Sequence, residues 1–176
     1  MGLLVATPSP AVVPSDEAVT DAVTVAAAPS APPRPEWNDG AEVSAEKFLE
    51  IALSNRCVWW NKRNQQQTPI AAACFEADGD QIFVRDYLRD GRAAVAWWQI
   101  ETRKGQTKRI GGCLNRHGSG TASVCNKNFD EDDVIYLRTG VWRRQPLRRD
   151  NLVLGLGCWL SVSSGALYPP GCGDLF

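Results

Sequence analysis

TKRIGGCLNRHGSGTASVCNKNF, residues 107–129, reads as two strands around a glycine-rich turn. Gly118-Ser119-Gly120 can supply the positive φ of a three-residue hairpin loop. Closing the chain there pairs His117 with Thr121 and, counting outward in equal steps, sets Cys113 opposite Cys125. Facing residues of an antiparallel pair stand about 4.5–5.5 Å apart at Cα, within the span of a disulfide. A Cys113–Cys125 bridge follows. Alternation puts it on the wetter face with Thr107, Arg109 and Asn115, away from Ile110 and Leu114. In the chain-entropy account a loop of this size contributes about 3 kcal/mol. The stretch is a staple.

The two-residue period continues on either side. Strands are predicted over 69–77, 80–88, 92–101, 107–115, 121–129, 134–143 and 152–162, with Asp78-Gly79, Asp90-Gly91 and Lys104-Gly105 marking further turns. Links this short join antiparallel neighbours, because a parallel crossover needs about a dozen residues or more. The expected fold is mainly β, an antiparallel sandwich of about seven strands rather than a closed barrel. Upstream, 44–54 (SAEKFLEIALS) offers Ser44 as a cap and Glu46 in the first turn, with Phe48, Leu49, Ala52 and Leu53 on one face. One short helix is expected there. Residues 1–36, rich in Ala, Val, Pro, Ser and Thr, cannot bury enough to offset the entropy of ordering. They are expected to be a disordered leader, and 37–176 a single disulfide-stapled domain.

A formal net charge of −1 with 22% charged residues gives no global field to draw nucleic acid or an anionic membrane. No apolar run reaches the roughly 18 residues of a membrane span. Six cysteines without a C-x-x-C pair suit an oxidising compartment better than a zinc site, so no metal or cofactor is expected. The opening MGLLVATPSPAVVPS lacks a basic n-region and a full apolar h-region. Gly2 to Ala6 read as the tail of a longer signal peptide whose start lies upstream, which makes the protein extracellular. Cys158 and Cys172 flank a segment with little to bury, so a covalent tie is expected to hold it; Cys57 and Cys74 then pair by elimination.

His117, the single histidine, sits in a turn and suits neither a general base nor a ligand. The acidic run 130–133 lacks the register of a calcium loop and reads as a solvated turn. Trp142, Arg143 and Arg144 open a basic stretch to Asp150; it reads as a solvated loop, with a macromolecular partner as the alternative. Trp97-Trp98 is more telling. Neighbouring side chains on a strand point to opposite faces, so one ring enters the sandwich and the other leaves by its outer face. The helix and Trp59-Trp60 are expected to cover the outer ring; an aromatic platform for sugar or protein is the alternative.

Certain residues of this sequence support a resemblance. They are Phe75-x-x-x-Gly79-Asp80, Val84-x-Asp86 and Asp90-Gly91-x-x-Ala94-Val95-x-x-Trp98, then Gly112-Cys113-x-Asn115-x-x-Gly118-x-Gly120-Thr121 and Cys125-Asn126-x-x-Phe129-x-Glu131. With these, Ala73 to Arg138 resembles a group of small secreted β-sandwich proteins of actinobacteria. The resemblance implies secretion and a compact disulfide-bonded sandwich, with no catalytic residue to carry over. The expected function is a secreted, monomeric, non-enzymatic module that binds an extracellular protein or glycan through Trp97, Trp98, Trp142, Arg143 and Arg144. The rivals are a protease inhibitor presenting 143–150 and a hydrolase with a carboxylate pair.

Overall fold

Alternation of buried and partly exposed side chains along Arg92–Glu101 gives this strand an inner face of Ala94, Ala96, Trp98 and Ile100 and an outer face of Val95, Trp97 and Gln99. The other strands assemble around it. A computed structural model describes residues 31–61, 69–143 and 152–173, with Pro32 onward forming one compact unit. In chain order the elements are β1 (Glu36–Asp39), β2 (Ala41–Val43), α1 (Ala45–Ser54), β3 (Cys57–Asn61), β4 (Pro69–Glu76), β5 (Gln81–Asp86) and β6 (Arg92–Glu101). β7 (Thr107–Asn115), β8 (Ala122–Asn126), β9 (Val134–Arg143), β10 (Leu152–Ser161) and β11 (Leu167–Gly173) follow.

Two sheets form, ordered β1-β7-β6-β9-β10-β11 and β2-β8-β5-β4-β3. The main core lies between them and includes Phe75, Ile82, Trp98, Ile135, Leu137 and Leu160. The sandwich and all seven expected strands are present. Four further short strands, β1, β2, β3 and β11, lay outside the sequence reading, and β1 pairs with β7 in parallel. Glu36, expected in the leader, is the first residue of β1. The rest of the expected leader, up to residue 30, lies outside the described residues.

Residues 107–129 do not form the expected hairpin. Cys113 and Cys125 are bonded, with Cα atoms 5.9 Å apart, but they do not face each other across a hairpin. β7 pairs with β6 and β1, while β8 pairs with β5 and β2 in the opposite sheet. Residues 116–121 therefore form an arch between sheets, and the bridge runs through the core, with the cysteines 0% and 5% exposed. Asn115 organises the arch: its Nδ2 donates to Thr121 O at 2.8 Å, and its Oδ1 accepts from His117 N and Thr121 Oγ1 at 3.1 Å. Gly120 N donates to Asp86 O at 2.8 Å, which seats the arch on the second sheet.

The chain crosses between the sheets a second time at this corner, from β1 to β2 through Gly40. A Cβ on Gly40 would stand 2.6 Å from Ser123 Cβ and 3.1 Å from Cys113 Sγ, so glycine is required by close approach. His117 holds the same corner, its ring Nε2 lying 3.1 Å from Gly40 O. The other two bridges do join facing residues of paired strands. Cys57–Cys74 ties edge strand β3 to β4, and Cys158–Cys172 ties edge strand β11 to β10.

Helix α1 begins as expected, with Ser44 Oγ accepting from Lys47 N at 3.1 Å. Its buried stripe differs from the expected one. Phe48 and Ile51, with Ala52, pack on Ala72, Cys74, Phe83 and Ala122, while Leu49 and Leu53 are 48% and 89% exposed. The helix thus covers the outer face of the five-stranded sheet, over the Cys57–Cys74 bridge. It does not cover Trp97.

Candidate functional site: the outer face of the six-stranded sheet

Trp98 is fully buried in the core, and Trp97 emerges on the outer face of the other side. Of the expected binding pair, only Trp97 can meet a ligand. The expectation that α1 and Trp59-Trp60 cover it is overturned by topology: Trp59 lies on the five-stranded sheet and Trp60 packs against the main core.

Around Trp97 the sheet gathers aromatic side chains from distant parts of the sequence. β1 brings Trp37, β9 brings Tyr136 and Trp142, β10 brings Trp159 and β11 brings Tyr168. Trp97 packs against both groups, joining Val95, Leu114, Trp142, Trp37 and Leu152 to Val134, Tyr136, Trp159 and Tyr168. Trp37 meets Trp142 edge-on at a centroid distance of 4.3 Å. Trp97 meets Tyr136 at 6.4 Å with planes at 79°, and Tyr136 lies against Trp159 at 4.8 Å. The two edge-on pairs are an arrangement that aromatic quadrupoles favour.

Two glycines let the rings lie close to the sheet. A Cβ at Gly112 would stand 2.1 Å from the Trp37 ring, and one at Gly157 would stand 2.5 Å from the Tyr136 ring. Tyr136, Trp142 and Trp159 form a buried floor, whereas Trp37, Trp97 and Tyr168 are partly exposed. Beside Tyr136 is a polar cluster. Gln99 Nε2 donates to Glu101 Oε1 and, at 3.2 Å, to Thr107 Oγ1; the Thr107 hydroxyl donates to Glu101 Oε1 at 3.3 Å. Arg138, next to Trp97 in register, donates its Nε–H to Gly155 O at 2.8 Å.

β1, and with it Trp37, is held by an ionic clasp at the end of the core. Arg109 binds both carboxylate oxygens of Glu36, at 2.8 and 3.0 Å, and donates to Asn128 O at 2.6 Å. Arg109, expected on a wet face, instead turns inward over the rings of Phe129 and Trp98, at 5.1 and 5.6 Å. Lys127 bonds Asn38 Oδ1, approaches Glu36 Oε2 at 3.6 Å, and sits 4.9 Å over Trp98. The Arg109 guanidinium holds the Glu36 carboxyl below the usual carboxylate range, and burial pushes the Lys127 amine down.

The remaining candidates have structural partners. Lys108 Nζ lies 2.8 Å from both Asp130 and Asp133, so the acidic run closes on a lysine rather than standing open. Asp80, at φ 52°, accepts the Phe129 N–H at 2.8 Å and guides that ring into the core. Arg143 is exposed at the end of β9. Arg144 and the rest of the 143–150 segment lie outside the described residues. On the opposite sheet, half-exposed Trp59 lies 5.9 Å from Tyr87, whose ring is covered by Arg85 at 4.8 Å.

Sequence reading singled out Trp97 and Trp142 but missed Trp37, Tyr136, Trp159 and Tyr168. Each of these is isolated in sequence, and only the strand order brings them together. Three disulfides are compatible with an extracellular protein, and among the described residues no helix is long and apolar enough to cross a membrane. No protein family, curated protein or solved structure matches this chain.

Proposed function

We propose that this is a secreted, non-enzymatic β-sandwich module that binds an extracellular macromolecule or glycan on the outer face of its six-stranded sheet. The observation that carries this reading is the concentration of aromatic rings on the outer face of the six-stranded sheet. The five-stranded sheet buries Ala72, Phe83 and Ala122 under α1 and leaves Trp59 beside Tyr87, while the six-stranded sheet gathers Trp37, Trp97 and Tyr168 over a floor of three further rings. Partly exposed aromatic rings clustered on a rigid sheet are suited to meeting a partner. Secretion is supported by the three bridges and by the resemblance to small secreted actinobacterial sandwiches.

The test is retention of the full chain on immobilised extracellular polysaccharides and secreted proteins, compared with Trp97→Ala. Trp97 is outside the main core, so the variant is expected to keep its melting transition and lose retention at least tenfold. Equal retention of both proteins, or of neither on any matrix, would remove this face as the binding site.

A further inference from the structure

We infer that the occupant of this face is an uncharged glycan chain, lying across the strands and gripped along its length. The inference rests on the binding role proposed above and adds the chemistry of the ligand.

Geometry gives the direction. Five of the six strands contribute a ring to the outer face, β1, β6, β9, β10 and β11, and the sixth, β7, contributes Gly112 beneath Trp37. Trp37 and Trp97 share a cross-strand register through Gly112, and Tyr168 lies beyond Trp159 on the far strand, so the line of partly exposed rings crosses the strands. Across six strands at a spacing of about 4.8 Å it extends about 24 Å, the scale of an oligosaccharide rather than a single sugar. Its partly exposed rings, Trp37, Trp97 and Tyr168, are distributed along that line. Pyranose rings present flat C–H faces that stack on aromatic rings. Their hydroxyls need amide, carboxylate and hydroxyl partners at the margin, and Gln99, Glu101 and Thr107 supply one of each, already aligned on one another.

Charge gives the class. An anionic chain would need basic groups aimed outward along the band. Among the described residues the band holds one arginine, Arg138, which is engaged with Gly155 O, and a carboxylate, Glu101. Arg109 and Lys127 are turned inward onto Glu36, and Lys108 is held by Asp130 and Asp133. Among the described residues, a uronate or sulfate placed beside Gln99 would meet Glu101, while the exposed Arg143 stands at the far end of β9. A neutral chain meets no such cost.

The experiment is affinity electrophoresis and calorimetry of the full chain with neutral polysaccharides (hydroxyethyl cellulose, laminarin, galactomannan) and anionic ones (heparin, polygalacturonate), at low and high salt. The expected result is binding to at least one neutral polymer, unchanged by salt, with affinity rising along its oligosaccharide series. Trp97→Ala should lower that affinity at least tenfold, and Gln99→Ala several-fold, with melting transitions unchanged. Gln99→Ala leaves every ring in place and so reads the polar cluster alone. Salt-sensitive binding to the anionic polymers only would overturn the neutral class while leaving the binding face intact. Retention by a secreted protein, lost in Trp97→Ala, with no polysaccharide bound, would likewise overturn the glycan and keep the face. Binding to a neutral polymer that Trp97→Ala and Gln99→Ala both leave unchanged would overturn the site itself.

Discussion

Gly112 has no side chain because the Trp37 ring occupies the place where one would stand. The sequence marks Gly111-Gly112 as unusual within a strand, but the cause lies 75 positions away, in a residue next to the proline-rich leader. Alternation could send one of Trp97 and Trp98 outward and the other inward, because that follows from the backbone alone, but it did not say which. It could not rank Glu36, whose value depends on an arginine on another strand. The clasp makes a residue-scale prediction. Because Arg109 lowers the Glu36 carboxyl, its contribution is full above the ordinary glutamate value of about 4.3 and is lost as pH falls through the lowered one. Glu36→Gln should therefore lower the melting temperature at neutral pH and narrow the gap to wild type progressively below about pH 4. A constant gap from neutral pH into acid would show that the carboxylate charge contributes nothing. Glu36 is partly exposed, so the effect is screened and should shrink in high salt.

At the scale of elements, a two-residue period establishes that residues 107–129 are strands but not that they share a sheet. Gly118 and Gly120 do have positive φ, as a hairpin requires, yet the same torsions serve an arch when Asn115 and Asp86 hold it open. The cysteine pairing was thus legible for a reason that the fold does not use. The bridges derived from weaker arguments, Cys158–Cys172 and Cys57–Cys74, are the ones that join facing strand positions. The helix shows the same limit: its existence was readable from Ser44 and the apolar spacing, but its buried stripe was displaced by about one residue, because Ile51 rather than Leu53 meets the sheet. Position therefore distinguishes bridges of similar span. Cys113–Cys125 and Cys158–Cys172 close 12 and 14 residues, so loop entropy assigns each about 3 kcal/mol. Replacing Cys113 and Cys125 by alanine opens space between the sheets at two buried positions, whereas of Cys158 and Cys172 only Cys158 is buried and the loss mainly frees an edge strand. The first double variant should lose more stability in denaturant titration, by about 1 kcal/mol or more. Equal losses would mean that the sheets do not depend on the core bridge.

At the scale of the whole molecule, the sandwich is closed at one corner and pinned at the opposite edges, and its two outer faces are finished differently. The two-residue period and the turn spacing anticipated the sandwich, since they recur along most of the chain. The aromatic face was beyond them, because it is a product of strand order: β1, the earliest strand, packs beside β7, and the latest, β11, lies at the far edge. Among the described residues the first strand starts at Glu36, and it has two tasks, covering Gly112 and supplying the first ring of the band. A chain beginning at Pro32 keeps β1, the clasp and Trp37; one beginning at Asp39 loses all three. Because the leader is proline-rich and poor in large apolar side chains, the first truncation should melt with the full chain. The second forfeits the Trp37–Trp142 packing and leaves Arg109 and Lys127 without Glu36, at a cost of about 2 kcal/mol or more. At this chain length that corresponds to a fall of roughly 4–8 °C. If both truncations melt together, β1 is an ornament on the sheet and Trp37 has no fixed place in the band. If the first already melts lower than the full chain, part of the leader docks on the domain, and the boundary lies before Pro32.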